Sequence, residues 1–240
     1  MIMSVKTITN PSLVVGLYSL KLEISFKHCF LSDINLELVT SYNTIKRDPD
    51  EEVFSELLDS SKERRSKEHY YQVRSNKDSN DPAKIAARFI YLNRYSFKGI
   101  YRVNTNGNPA QTFSGRNYSE SDIASRLKQC SRLLAGTSIY AMDFSFIEPR
   151  QDDFVYFDPP YHKAGEKFYT RLPFDENEQT RLRDFATELN SEGVKIMISN
   201  SNTPFIRNLY NNFNINSIKV KYSMPEHNKM SNEVIITNYV

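Results

Sequence analysis

Short runs of strand character alternate along this chain with stretches of helical periodicity, and that alternation restricts the fold more than any other feature. Phe26–Leu31, Ser138–Phe144, Asp153–Phe157 and Val194–Ile198 read as strands, the last two buried. Leu13–Tyr18 is helix-like, and Asp48-Pro49 and Asp81-Pro82 are helix starts, Asp at the N-cap and Pro in the first turn. The helix after Asp81 carries Ile85, Phe89 and Leu92 at i, i+4, i+7 spacing. A later one lines up Ile123, Leu127, Cys130 and Leu134 and stops at Gly136. Another begins near Glu176, turns Leu182, Phe185 and Leu189 inward and stops at Gly193, while Thr203-Pro204 caps a short helix. Two closing strands, about Ile215–Tyr222 and Glu233–Tyr239, pair as a hairpin. Strands alternating with helices imply an α/β fold with a mostly parallel sheet covered on both faces. Residues 46–136 carry few strand signals and read as an inserted helical subdomain, leaving 1–45 and 137–240 to the sheet domain.

Composition narrows the function classes. The 240 residues include only seven glycines, with no G-x-G-x-x-G and no G-x-x-x-x-G-K-[ST]. A dinucleotide-binding dehydrogenase and a P-loop NTPase are excluded on that ground. No apolar run reaches the ~18 residues of a membrane span, and the N-terminus lacks a signal-peptide pattern. Cys29 and Cys130 lie in apolar surroundings and read as buried free thiols, too few for a metal cage. Together these features read as a soluble cytoplasmic protein with no metal.

The chemistry gathers after the third strand, at Asp158-Pro159-Pro160-Tyr161. In open α/β sheets ligands bind outside the carboxyl ends of strands. Two prolines have fixed φ and no N–H, so they make a stiff segment that only accepts hydrogen bonds. An Asp carboxylate and a neighbouring carbonyl match the two N–H donors of an exocyclic amino group, and Tyr161 offers a face for a base to stack on. Accepting both N–H groups draws the nitrogen lone pair out of conjugation, ready to attack an electrophilic methyl. The plain alternative is a Pro-Pro turn with an Asp cap. A second cluster adds weight to the first reading. Between Lys84 and Lys128 stand eight basic and two acidic residues, a net +6 in a chain of net +2, interleaved with seven aromatics from Phe89 to Tyr118. Cations for phosphates plus aromatic and amide side chains for bases form a nucleic-acid footprint.

Leu92-Asn93-Arg94, Phe97-Lys98-Gly99-Ile100-Tyr101-Arg102-Val103-Asn104 and Asp158-Pro159-Pro160-Tyr161 together resemble the Dam-type DNA adenine-N6 methyltransferases. Leu31-Ser32-Asp33-Ile34-Asn35, Asp143-Phe144, Ile196–Asn200 and Glu233–Tyr239 match further family segments in order, so the resemblance runs from about Val14 to Tyr239. It implies a Rossmann-like class I methyltransferase sheet with an antiparallel terminal hairpin, and a monomer encoded by a bacterium or phage. The substrate it implies is double-stranded DNA, with an adenine flipped into the site. The methyl donor is S-adenosylmethionine, and no metal takes part. Asp158 and the Pro159 carbonyl would hold N6, Pro160 would stiffen the turn and Tyr161 would stack on the base. Asp33 would bind the cofactor ribose, with Asp143 and Phe144 beside its adenine. Asn93, Arg94, Phe97, Lys98, Arg102, Asn104 and Arg116 would face the DNA, with Phe97 as a wedge and the arginines able to read guanine.

The match departs from the family at its start. The family's lysine segment and Glu-Pro-Phe-x-Gly-x-Gly loop are replaced by Thr9-Asn10-Pro11-Ser12-Leu13-Val14-Val15-Gly16-Leu17, with Ile2–Ile8 as a substitute first strand. The chain therefore reads as an N-terminally truncated or rearranged member with weakened cofactor binding and exposed sheet neighbours. An inactive DNA-binding remnant, and an amino-group methyltransferase acting on RNA or protein, are the competing readings. Ala110–Gly115 and Lys98 depart from the usual recognition-loop pattern, so a GATC target does not carry over.

Overall fold

In a computed structural model the described residues are 2–6, 28–47, 66–77, 79–99, 101–104, 106–115, 120–163, 173–221 and 230–240. Seven strands form one sheet: β1 (Ile2–Lys6), β2 (Cys29–Asp33), β3 (Thr137–Ala141), β4 (Phe154–Asp158), β5 (Lys195–Ser201), β6 (Asn214–Lys221) and β7 (Met230–Thr237). Their spatial order is β3-β2-β1-β4-β5-β7-β6. β1 pairs in parallel with β2 and β4, β2 with β3, and β4 with β5, whereas β7 runs antiparallel to both β5 and β6. A mostly parallel sheet closed by an antiparallel hairpin is the arrangement the alternation and the resemblance imply. β1 also corrects one expectation. Its two flanking strands are both paired to it and are not left as exposed edges.

The helices are α1 (Leu36–Arg47), α2 (Lys67–Ser75), α3 (Pro82–Tyr95), α4 (Glu120–Leu134), α5 (Glu176–Ser191) and α6 (Pro204–Leu209). The starts of α3 and α6 follow the cap signals at Asp81 and Thr203, and Asp175 caps α5 in the same way. Asp81 accepts from the Ala83 N–H, Asp175 from Asn177 and Glu178, and Thr203 from Ile206, each satisfying a donor the first turn leaves unpaired. α4 ends where Gly136 takes a φ of +77°, a left-handed value that a Cβ disfavours. The helix-like stretch Leu13–Tyr18, the start at Asp48-Pro49, the segment Thr9–Leu17 that replaces the family loop, and the side chain of Ile123 lie outside the described residues.

Period-two alternation divides the sheet into two faces. Val155 and Phe157 on β4, Ile196 and Ile198 on β5, and Val234 and Ile236 on β7 are buried together against Leu182, Ala186 and Leu189 of α5. Burying a side chain of this size contributes about 1.5–3 kcal/mol. On the β2–β3 side, Leu31 and Ile139 pack with Leu38, Val39 and Tyr42 of α1, Phe89 of α3 and Leu134 of α4. An aromatic cluster of Tyr70, Tyr91, Leu92 and Tyr95 joins α2 to α3. Several boundaries differ from the expectation, β5 running on to Ser201 and β7 starting at Met230, and two of the differences have a local cause. β2 runs to Asp33 because Asn35 caps α1 through Leu38, and β3 stops at Ala141 because Asp143 caps the 3₁₀ turn Phe144–Phe146.

Candidate active site

The strands that build the second face of the sheet end in polar residues, and these converge. Val155 and Phe157 point to the α5 core, so Tyr156 and Asp158 point the other way, as do Ser199 on β5 and Glu233 on β7. The Tyr156 hydroxyl donates to Ser199 Oγ (2.9 Å), and Ser199 Oγ donates to Asp158 Oδ1 (2.8 Å). The Tyr161 hydroxyl donates to Glu233 Oε2 (3.3 Å), and Glu233 is itself buried. Burial first, and then the Asp158 carboxylate, push the pKa of both Tyr156 and Tyr161 well above the ordinary phenol value, so both stay protonated donors.

A second polar layer clamps the tetrad from behind. Gln179, wholly buried on α5, donates its amide to the Pro160 carbonyl (2.8 Å) and accepts from the Asn200 amide (3.0 Å). Asn200 in turn accepts from the His162 N–H (3.0 Å), and Ser201 Oγ donates to the His162 carbonyl (2.5 Å). The His162 ring sits between Glu176 Oε1 (3.0 Å from Nε2) and Thr203 Oγ1 (2.8 Å from Nδ1). A carboxylate only accepts, so Nε2 carries the proton there. The backbone on either side of Tyr161 is thus tied to β5 and α5, and the His162 ring to Glu176 and to Thr203, the cap of α6.

Asp33 ends β2, buried at 6% exposure, its Oδ1 accepting from the Asn35 N–H (2.7 Å). The register places Ser32 beside Val5, and Lys6 beside Asp158. Asp33 and Asp158 therefore stand at the same height with β1 between them, two strand spacings or about 10 Å apart. Asp143 and Phe144, the residues expected beside the cofactor adenine, follow the end of β3. Arg181 grips Asp143 with two bonds (2.7 and 2.9 Å), and the Ser145 N–H and hydroxyl both donate to Oδ1. Phe144 is buried against Phe157, Phe174 and Phe185, with the Arg181 guanidinium over its ring at 4.1 Å. Both side chains tie β3 to α5.

The family model for the D12 class of N6 adenine-specific DNA methyltransferases matches residues 12–224. The chain belongs to that family. Among relatives, the Type II methyltransferase M.MjaIII of Methanocaldococcus jannaschii is 36% identical over 221 residues, which is 85% of this chain and 76% of that protein. The Type II methyltransferase M1.LlaDCHI of Lactococcus lactis is 34% identical, across 94% of this chain and 84% of its own length. The DNA adenine methylase of Escherichia coli is 30% identical, across 88% and 78%.

In this methyltransferase the described residues between Tyr95 and Ser114 form a folded arm. Phe97 N–H donates to the Thr112 carbonyl (2.6 Å), Ser114 to Tyr95 (2.8 Å) and Ala110 to Arg102 (2.8 Å), with bridges pairing Ser96 to Phe113 and Val103 to Pro109. Alternation then sorts the side chains. Tyr101 and Val103 are buried in the β2–α1 core, while Arg102 and Asn104 are exposed. Phe97, at the root, is 52% exposed. Asn104 Oδ1 accepts from the Asn106 and Asn108 N–H groups and so shapes the tip, where Gly107 takes a φ of +76°. Arg94 is half-buried. Asn93, expected at the DNA, is 1% exposed and bonded to the Phe89 carbonyl; it holds the end of α3 from inside. Arg116 and the side chain of Lys98 lie outside the described residues.

Sequence reasoning missed Ser199, Gln179, His162 and Glu233. The signal was clearest for Gln179, a polar residue on the apolar face of α5 in register with Leu182 and Leu189; Ser199 and Glu233 adjoin the apolar runs of β5 and β7, and His162 adjoins the tetrad. Among the described residues no group of three His, Cys, Asp or Glu side chains is placed to hold a metal, and no helix is long and apolar enough to cross a membrane.

Proposed function

We propose that this methyltransferase moves a methyl group from S-adenosylmethionine to N6 of an adenine flipped out of duplex DNA. The observation that carries the reading is the clamped tetrad at the end of β4. With the Pro160 carbonyl engaged by Gln179, the acceptors it brings to a ligand are the Asp158 carboxylate and the Pro159 carbonyl. These two accept the amino hydrogens of N6 while Tyr161 stacks on the ring, and the nitrogen lone pair is freed for attack. The N–C bond forms as the C–S bond breaks, and the methylated nitrogen then loses one proton. S-Adenosylmethionine supplies an electrophilic methyl on a sulfonium. Asp33 fits it as the acceptor for ribose hydroxyls, being a buried carboxylate held at a strand end. Asp143 and Phe144 stand beside the cofactor adenine, held in place after β3 by Arg181 and by packing on Phe185.

Residues 46–136 act as the target-recognition insertion on the domain formed by 1–45 and 137–240. Phe97 wedges the duplex beside the flipped base, Arg102 reads a base edge from the arm, and Arg94, Lys98 and Arg116 meet phosphates. Asn93 and Asn104 support these contacts by holding the helix end and the arm's tip. The chain acts as a monomer in the cytoplasm, and the two Type II relatives support a role in restriction-modification. The test is transfer of labelled methyl from S-adenosylmethionine into unmethylated duplex DNA, with duplex RNA as competitor. Incorporation that RNA does not suppress is expected. Salt-dependent DNA binding without any transfer overturns the proposal in favour of a binding remnant.

A further inference from the structure

We propose that Ser199 is a positioning residue that aims the Asp158 carboxylate at the target amino group, through a hydroxyl chain that begins at Tyr156. This rests on the methyl-transfer reading above. The direction of the chain follows from its chemistry. A carboxylate offers no proton, so the 2.8 Å contact between Ser199 Oγ and Asp158 Oδ1 uses the single serine proton. Ser199 Oγ then accepts from the Tyr156 hydroxyl at 2.9 Å, and that phenol remains protonated because it is buried next to Asp158.

What the chain controls is the rotation of the carboxylate. The terminal torsion of an aspartate is broad and roughly two-fold, so an Asp at a strand end does not by itself fix where its oxygens lie. Methyl transfer needs the amino nitrogen held with its lone pair in line, and small angular errors there cost rate. Ser199 supplies a restraint on the carboxylate from the neighbouring strand. The register places it level with Asp158, one step beyond the Phe157–Ile198 pair, and strand alternation turns it to the same face. Tyr156 lies two residues before Asp158 on that face, so all three atoms of the chain come from rigid, paired strands. Neither residue needs to touch the base or the methyl donor.

The test is steady-state kinetics of the full chain with S-adenosylmethionine and unmethylated mixed-sequence duplex DNA, comparing Ser199→Ala, Ser199→Thr and Tyr156→Phe with wild type. Ser199→Ala is expected to lower kcat about tenfold, as for loss of one charge-assisted hydrogen bond, with KM for both substrates nearly unchanged. Ser199→Thr keeps the hydroxyl and suits a strand, so it restores most of kcat. Tyr156→Phe gives a smaller loss, about threefold, because Ser199 keeps its proton for Asp158. Thermal midpoints identify any variant that merely fails to fold. A Ser199→Ala enzyme as fast as wild type, a Thr variant as slow as the Ala one, or a change confined to KM overturns the assignment. A wild-type chain without transfer fails the methyl-transfer reading itself and takes this inference with it.

Discussion

Replacing Asp143 with asparagine separates a structural clamp from a ligand contact. In the folded chain, burial pulls the Asp143 pKa upward. Hydrogen bonds from Arg181 and from Ser145 outweigh burial and hold the carboxyl at about 2, against an ordinary 3.8. A gap of roughly 1.8 units at ~1.36 kcal/mol each amounts to about 2.4 kcal/mol. Arg181 is 39% exposed, and water screens such a pair, which brings the contribution to about 1 kcal/mol. The folded pKa is depressed, so this stability is present above the unfolded pKa near 3.8 and is lost as pH falls toward about 2. Urea denaturation of wild type and Asp143→Asn at neutral and acid pH measures it. Wild type is expected to be more stable by about 1 kcal/mol at neutral pH, or ~2–4 °C in Tm, with the gap roughly halved near pH 3. Equal stability at neutral pH, or a gap that does not shrink in acid, refutes the clamp.

Gln179→Leu leaves the Pro160 carbonyl and the Asn200 amide without their shared partner in a fully buried place. Calorimetry is expected to show a loss of about 2–3 kcal/mol, and assays a lower kcat. Arg102→Ala removes an exposed cation from the arm. Because we assign it to a base edge, DNA binding is expected to weaken by about 1–3 kcal/mol at the preferred sequence and the preference to relax, as read by binding to a library of duplexes. Burial pushes the Cys130 thiol up to about 11 and also raises that of Cys29. Both cysteines of the chain are therefore expected to resist iodoacetamide at mildly alkaline pH until the protein is unfolded, as followed by mass spectrometry.

Much of the framework was legible because it obeys local rules. The caps at Asp81 and Thr203 sit where the first-turn donors need them, and the apolar faces of α3, α4 and α5 follow from spacing alone. The tetrad was visible because its four residues are contiguous. What surrounds it was not, because the partners are distant in sequence. Tyr161 meets Glu233 across 72 positions and Asp158 meets Ser199 across 41. The arm from Tyr95 to Ser114 shows no strand pattern because it pairs through two separate bridges. Asp143 shows a different limit: spacing runs the strand through it, whereas it caps the turn after β3, and its bond to Arg181 depends on how α5 packs against that strand.

Digesting duplex DNA to nucleosides after incubation with S-adenosylmethionine and the chain, and weighing the products by mass spectrometry, reads both the reaction and the atom it modifies. Wild type is expected to yield N6-methyladenine as the sole methylated nucleoside. Asp158→Ala, which removes the acceptor that holds N6, is expected to yield none while remaining folded and able to bind DNA. Methylated cytosine in the wild-type digest, or N6-methyladenine from Asp158→Ala at the wild-type rate, contradicts the assignment of the tetrad to the amino group of adenine.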